Sequence, residues 1–315
     1  MGTAPFASPS LRAMIDAGHE IVGVFTQPDR PRGRGRKIQA PAVKAEALEL
    51  KLPVYQPESI KTDSIIELFG VLAPRLIVVV AYGKIIPGWL IDLPPHGVVN
   101  VHGSLLPRYR GAAPVNWAIA RGETHSGVCT MQIERGLDTG PVYLSAETAI
   151  DPEETAVELA SRLAEMGAPL LVETVDGIDS GSIRPTPQDE QAATRAPMMT
   201  KEDGALDWSE SAASIHNKVR AFAPWPSALV RFRGKSCKIL SSRISESTDD
   251  ESSPGAIICA GDRLKVVCGD GRLLELMQVQ MENRGAVRAS DFMNGMRVQA
   301  GEKFDGGRTR ARGLE

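Results

Sequence analysis

The sequence predicts an α/β protein: a doubly wound, mostly parallel sheet followed by a second domain built as a small β-barrel. Three observations carry that reading. In the first half, continuous apolar runs such as Ile21–Thr26 and Leu76–Ala81 alternate with helical patterns, as parallel strands covered on both faces do. Beyond Leu229, short apolar segments recur between glycine turns at the spacing of an all-β unit. Between these halves Gly181, Pro185, Pro187, Asp189, Glu190 and Gln191 break every period, so residues 181–200 read as a linker joining a domain of residues 1–180 to one of residues 201–315. A chain of 315 residues also exceeds one typical core.

The elements follow in order. Residues 9–17 form a helix with Leu11, Met14 and Ile15 on one stripe, stopped by Gly18. After the Ile21–Thr26 strand, Gln27–Gln39 mixes prolines and glycines with Arg30, Arg32, Arg34, Arg36 and Lys37; it cannot pack a core and is expected as an exposed loop. Pro41–Leu50 is a helix opened by proline, Val54–Tyr55 a short strand, Asp63–Leu72 a helix and Leu76–Ala81 a strand. Val98–His102, Ser126–Ile133 and Pro141–Ala149 are further strands, with a helix at Pro114–Arg121. Asp151-Pro152-Glu153-Glu154 reads as a helix start, and that helix is expected to reach about Gly167 and resume to about Val175. Ser209–Ala221 is a capped helix; Leu229–Phe232, Cys237–Leu240, Ala256–Cys259, Leu264–Cys268 and Leu273–Val279 are the barrel strands.

The chemistry concentrates at Val98–Gly111. Asn100 and His102 stand two residues apart on a strand, so both side chains leave the same face near its C-terminal end. That is where open α/β sheets bind ligands. A lone Asn-x-His is more often a turn former beside a satisfied histidine. Here Gly103-Ser104-Leu105-Leu106-Pro107 follows, an apolar loop with no periodicity to bury it, which reads as a pocket wall. Gly136-Leu137-Asp138-Thr139-Gly140 adds a carboxylate on a glycine-flanked loop between two strands.

Composition excludes several classes. Net charge is −3, so any polyanion contact must be local; the Arg30–Lys37 cluster, with only Asp29 against it, supplies one. The cysteines at 129, 237, 259 and 268 have neither metal-ligand nor disulfide-framework spacing. No apolar run is long enough to span a bilayer and no signal segment opens the sequence, so a cytoplasmic protein without a membrane partner is expected. Gly33-Arg34-Gly35 lacks the third glycine and the strand-to-helix context of a dinucleotide site.

Asn100-Val101-His102-Gly103-Ser104-Leu105-Leu106-Pro107-Arg108-Tyr109-Arg110-Gly111, with Gly136–Gly140, resembles the methionyl-tRNA formyltransferase family. The likeness extends through Phe25–Pro31, Gly33–Lys37, Val79–Gly83 and Arg220–Pro226, covering nearly the whole chain. The resemblance implies a formyltransferase-type Rossmann-like domain, an OB-like C-terminal barrel that binds tRNA, and transfer of a formyl group from 10-formyltetrahydrofolate to methionyl-initiator tRNA for translation initiation. It implies Asn100, His102 and Asp138 as catalytic residues and no metal. The pterin end of the folate would lie against the backbone near Ala81–Gly83, at Tyr82 and Gly83, and the loop around Asp138, with Ser104, Leu105, Leu106 and Pro107 as the neighbouring wall. Arg34, Arg36, Lys37 and Lys201 would hold tRNA, with Arg308, Arg310 and Arg312 as further candidates, and the enzyme would act as a monomer.

In physical terms, such a transfer develops an oxyanion on the formyl carbon and releases a proton from the attacking amine. Asn100 can donate to the oxyanion, a contact worth about 3 kcal/mol. His102 is the proton shuttle, since imidazole titrates near neutrality, and Asp138 orients it or holds a relaying water. Two alternatives stand: a related formyltransferase acting on a nucleotide-sugar or other small amine, and a non-catalytic RNA- or folate-binding module. The basic loop favours tRNA over a sugar, and the complete Asn/His/Asp set disfavours a mere binding module.

The resemblance also implies an apolar strand ahead of the Gly2-Thr3-Ala4-Pro5 loop, which itself departs from the family's Gly-Thr-Pro order. The first central strand is therefore expected to be missing, its start assigned too late, leaving two sheet edges about 10 Å apart.

Overall fold

The computed structural model describes residues 1–32, 37–247 and 252–307. The chain forms two compact units, one of Met1–Pro114, His125–Thr148 and Ala160–Ala196, the other of Val115–Thr124, Ala149–Leu159 and Pro197–Glu315.

The first half alternates as expected: α1 (Ser8–Asp16), β1 (Val24–Phe25), β2 (Arg30–Arg32), β3 (Lys37–Gln39), α2 (Ala42–Glu49), β4 (Val54–Tyr55), α3 (Asp63–Leu72), β5 (Ile77–Val79), α4 (Gly88–Ile91), β6 (Val98–His102), α5 (Pro114–Ala120), β7 (His125–Gln132) and β8 (Val142–Ala149). The basic segment expected as a plain loop instead pairs its arms, β2 against β3, with Arg32 opposite Lys37. The Asp29 carboxylate accepts from Lys44 Nζ and Gln56 Nε2, each at 2.7 Å, and the Lys44 contact holds it below the usual carboxylate range.

The sheet is interrupted where the sequence leads one to expect a missing strand. β1 pairs in parallel with β4 as one piece, and β5-β6-β7-β8 form another, parallel at β5–β6 and antiparallel at β6–β7. Met1 and Gly2 bridge the gap: Gly2 N donates to Phe25 O at 2.9 Å, Val80 N donates to Met1 O at 2.9 Å, and Gly2 lies in a parallel bridge with Val80. Beyond them a cavity of about 610 Å³ runs between Ile21–Phe25 and Leu76–Val78. The Met1 amine donates to Val78 O at 2.6 Å, and burial pushes its pKa down to about 5.

Helix α6 (Ala156–Ser180) begins later than expected and does not break at Gly167. Asp151 starts a turn instead, and Thr155 and Glu158 form a reciprocal capping box: Thr155 N donates to Glu158 Oε2 at 2.8 Å and Glu158 N to Thr155 Oγ1 at 3.4 Å. Gly167 stays helical because it lets the helix lie on the sheet. A Cβ there would stand 2.9 Å from Val101 Cγ1 and 3.0 Å from Val128 Cγ2. Gly167→Val is expected to cost about 1–3 kcal/mol by overpacking; an unchanged denaturation midpoint would contradict this packing.

In the second unit, β9 (Ala228–Phe232), β10 (Lys235–Ser247), β11 (Ile257–Ala260), β12 (Arg263–Val267), β13 (Arg272–Met281), β14 (Val287–Arg288) and β15 (Phe304–Gly306) form one antiparallel sheet, in the order β11-β12-β13-β10-β9-β15 with β14 on β13. Register shifts along β10 curl it, and an antiparallel bridge between Ala256 and Lys303 joins its two ends into the expected barrel. α7 (Ala212–Ala221) and α8 (Ala289–Met296) cover it; α8 and β15 were not legible in the sequence.

His216 of α7 is 5% exposed, accepts from Ser242 Oγ at Nδ1 (3.0 Å) and donates from Nε2 to Pro152 O (3.2 Å), with Glu153 Oε1 3.8 Å away. Burial lowers its pKa, outweighing the Pro152 and Glu153 contacts. The unfolded chain therefore holds more protons between that lowered pKa and about 6.5, so stability falls as pH drops through this window. Melting curves from pH 7.5 to 5 should show a steeper loss for the parent than for His216→Gln; equal slopes would refute the assignment.

Candidate active site

β6 positions the first two groups. It lies between β5 and β7, its valines buried, with Asn100 paired to Met131 and His102 to Cys129. The Asn100 side-chain amide has no hydrogen-bond partner among the described residues and is only partly buried. His102 is 6% exposed. Its Nε2 lies 3.1 Å from the Tyr109 carbonyl, which can only accept, so that nitrogen carries a proton. Nδ1 then faces Asp138 Oδ2 at 3.8 Å, a separation that one bridging water or an imidazolium fits.

Asp138 is held in the left-handed region at φ 52°, and its Oδ2 accepts from Gly111 N at 2.8 Å. Gly111 must be glycine: its φ is 130°, and a Cβ would stand 2.4 Å from Ala196 O. The loop from β6 and the loop from β7 thus meet through a backbone amide and a carboxylate. Cys129 behind His102 is no nucleophile, since burial pushes its thiol up to about 12.

Along the expected folate wall, the Tyr82 ring is 1% exposed and packs into the core with Phe25, Phe69 and Leu90, so the residue offers a ligand its backbone. Even there, Tyr82 O accepts from Thr3 Oγ1 and Gln27 Nε2, and Gly83 O from Gln27 Nε2. Ser104 is fully buried, its hydroxyl spent on Arg108 O at 2.7 Å, and Leu105 packs on Gly127 of β7. Leu105, Leu106 and Pro107 are all partly exposed. Gln27, not among the residues expected from sequence, sends its side-chain amide to the Tyr82–Gly83 backbone; its place in a proline-rich loop gave no signal. Of the expected tRNA contacts, Arg34 and Arg36, and also Arg308, Arg310 and Arg312, lie outside the described residues. Lys37 opens β3, and Lys201 is exposed just before a short helical turn at Glu202–Gly204.

The segment 181–200, linker-like in composition, is not slack. Thr186 pairs with Val142, Gln188 Nε2 donates to Asp138 O and Gly140 O, and Arg110 N donates to Thr194 O at 2.9 Å. Its polarity serves this hydrogen bonding rather than freedom.

An amide donor without a partner among the described residues, beside an imidazole–carboxylate pair, fits an acyl group passing directly between nitrogens. The sequence matches the formyl transferase model over residues 1–175 and the formyl transferase C-terminal domain over residues 198–297, and the chain belongs to the formyl transferase family. It is 48% identical over 307 residues to a methionyl-tRNA formyltransferase of Solibacter usitatus, covering 98% of each chain. Among solved structures it resembles the methionyl-tRNA formyltransferase from Clostridium thermocellum, with a TM-score of 0.51 and 16% identity over 74% of this chain and 87% of that one. It also resembles HypX from Aquifex aeolicus in complex with tetrahydrofolic acid, with a TM-score of 0.61 and 19% identity over 84% of this chain and 48% of that one.

Proposed function

We propose that the chain formylates the amino group of methionyl-initiator tRNA from 10-formyltetrahydrofolate, with Asn100, His102 and Asp138 as its catalytic residues. The folate supplies a formyl group on a tertiary arylamine nitrogen. Asn100 donates to the formyl oxygen and gains strength as that oxygen becomes an oxyanion. The His102–Asp138 pair takes the proton that the attacking amine loses and returns it to the departing nitrogen. No covalent enzyme intermediate is required. Arg34, Arg36, Lys37 and Lys201 grip tRNA phosphates. Lys37 opens β3, and Arg30 of β2 and Ile38 of β3, on the same pair of strands, are exposed.

The observation that carries the reading is His102 Nδ1 at 3.8 Å from Asp138 Oδ2, on the strand whose Asn100 amide has no partner among the described residues. The test is formyl transfer to charged initiator tRNA, measured beside a nucleotide-linked amino sugar. Transfer to the sugar alone would overturn the acceptor, and transfer to neither would overturn the function.

A further inference from the structure

We propose that Gln188 is a positioning residue for Asp138, the key of a clamp formed by residues 186–196; this rests on the function proposed above. Every polar atom of its side-chain amide is committed. Nε2 donates to Asp138 O at 2.8 Å and to Gly140 O at 2.6 Å, while Oε1 accepts from Arg110 Nε at 3.0 Å. Arg110 is itself 8% exposed, and its two terminal nitrogens bind Glu190 Oε1 and Oε2 at 2.8 and 2.9 Å.

The two carbonyls that Gln188 holds flank Thr139 on the loop where Asp138 sits at φ 52°, a left-handed conformation uncommon for a residue with a Cβ, aspartate being among those that tolerate it best. The same segment fixes the other half of the site. Thr194 Oγ1 accepts from Tyr109 N at 2.8 Å, and Ala196 N donates to Arg110 O at 2.7 Å. Tyr109 is the residue whose carbonyl receives His102 Nε2, and Gly111, next to Arg110, is the one whose N–H donates to Asp138 Oδ2. One segment therefore sets the separation of His102 and Asp138 from both sides, and Gln188 is the side chain through which it grips the Asp138 backbone.

Two variants test the role. Gln188→Met keeps the length without hydrogen bonds, and Gln188→Glu keeps the acceptor facing Arg110 but loses the donors facing both carbonyls. In each, kcat for formyl transfer to methionyl-tRNA should fall ten- to a hundredfold while KM for both substrates stays within about threefold. A parent-like kcat in either variant, or a loss carried by KM rather than by kcat, would overturn the proposal. Failure of both variants to fold would overturn it as well, by making Gln188 a structural residue. An inactive parent in the same assay would reject the proposed function and the Gln188 role with it, whereas an active parent with unaffected variants rejects the Gln188 role alone.

Discussion

Asp138→Asn is expected to lower kcat about a thousandfold with little change in KM. The substitution keeps the size of the side chain and an acceptor for Gly111 N–H, so the loop stays in place and only the charge is lost. At the observed 3.8 Å, with the two side chains 6% and 18% exposed, a carboxylate stabilises an imidazolium by about 4 kcal/mol at an effective dielectric of about 20. That amounts to roughly three decades in rate at about 1.4 kcal/mol each. Because the imidazolium forms only as the amine loses its proton, the loss falls on kcat rather than on ground-state binding. Single-turnover transfer to methionyl-tRNA measures it. A rate within about fivefold of the parent would show that Asp138 is an anchor for Gly111 and not a partner of His102.

The site was legible in proportion to how locally it is encoded. Asn100 and His102 share a face because a strand repeats every two residues, and that needs no tertiary information. Asp138 announced itself through flanking glycines. What the sequence did not show is where the Tyr82 ring goes: Ala81 at φ 44° redirects the chain at the strand's end, and the ring enters the core. Residues 186–196 were hidden for a different reason. Their role lies in hydrogen bonds from Gln188 and Thr194 to loops about fifty and eighty-five positions away, and a polar segment without a period carries no sign of its partners. In the barrel, strand existence was legible and strand length was not: β10 continues well past Leu240 because it pairs with β9 first and β13 throughout. The run through Pro169 in α6 likewise depends on packing against the sheet, which local propensity disfavours.

Phe232→Ala is expected to destabilise the second unit by about 3–5 kcal/mol, the range for removing a fully buried ring. Phe232 is 0% exposed and stands at the centre of an aromatic trio, its ring centroid 5.2 Å from both Phe292 of α8 and Phe304 of β15. It is also register partner to Phe304 where β15 joins β9, so the ring holds together the helix that covers the barrel and the strand that closes it. The hole would be flanked by two backbones pinned by ladder hydrogen bonds, and such a site collapses little. A domain of ordinary stability, about 5–15 kcal/mol, would lose roughly a fifth or more of its margin. Phe232→Leu should recover part of the loss by refilling the cavity. Denaturant unfolding gives the magnitude, and hydrogen exchange locates it, with amides of β9, β10 and β15 losing protection first. A shift below about 1 kcal/mol, or loss of protection confined to residues 1–114, would show that the trio does not hold the barrel closed.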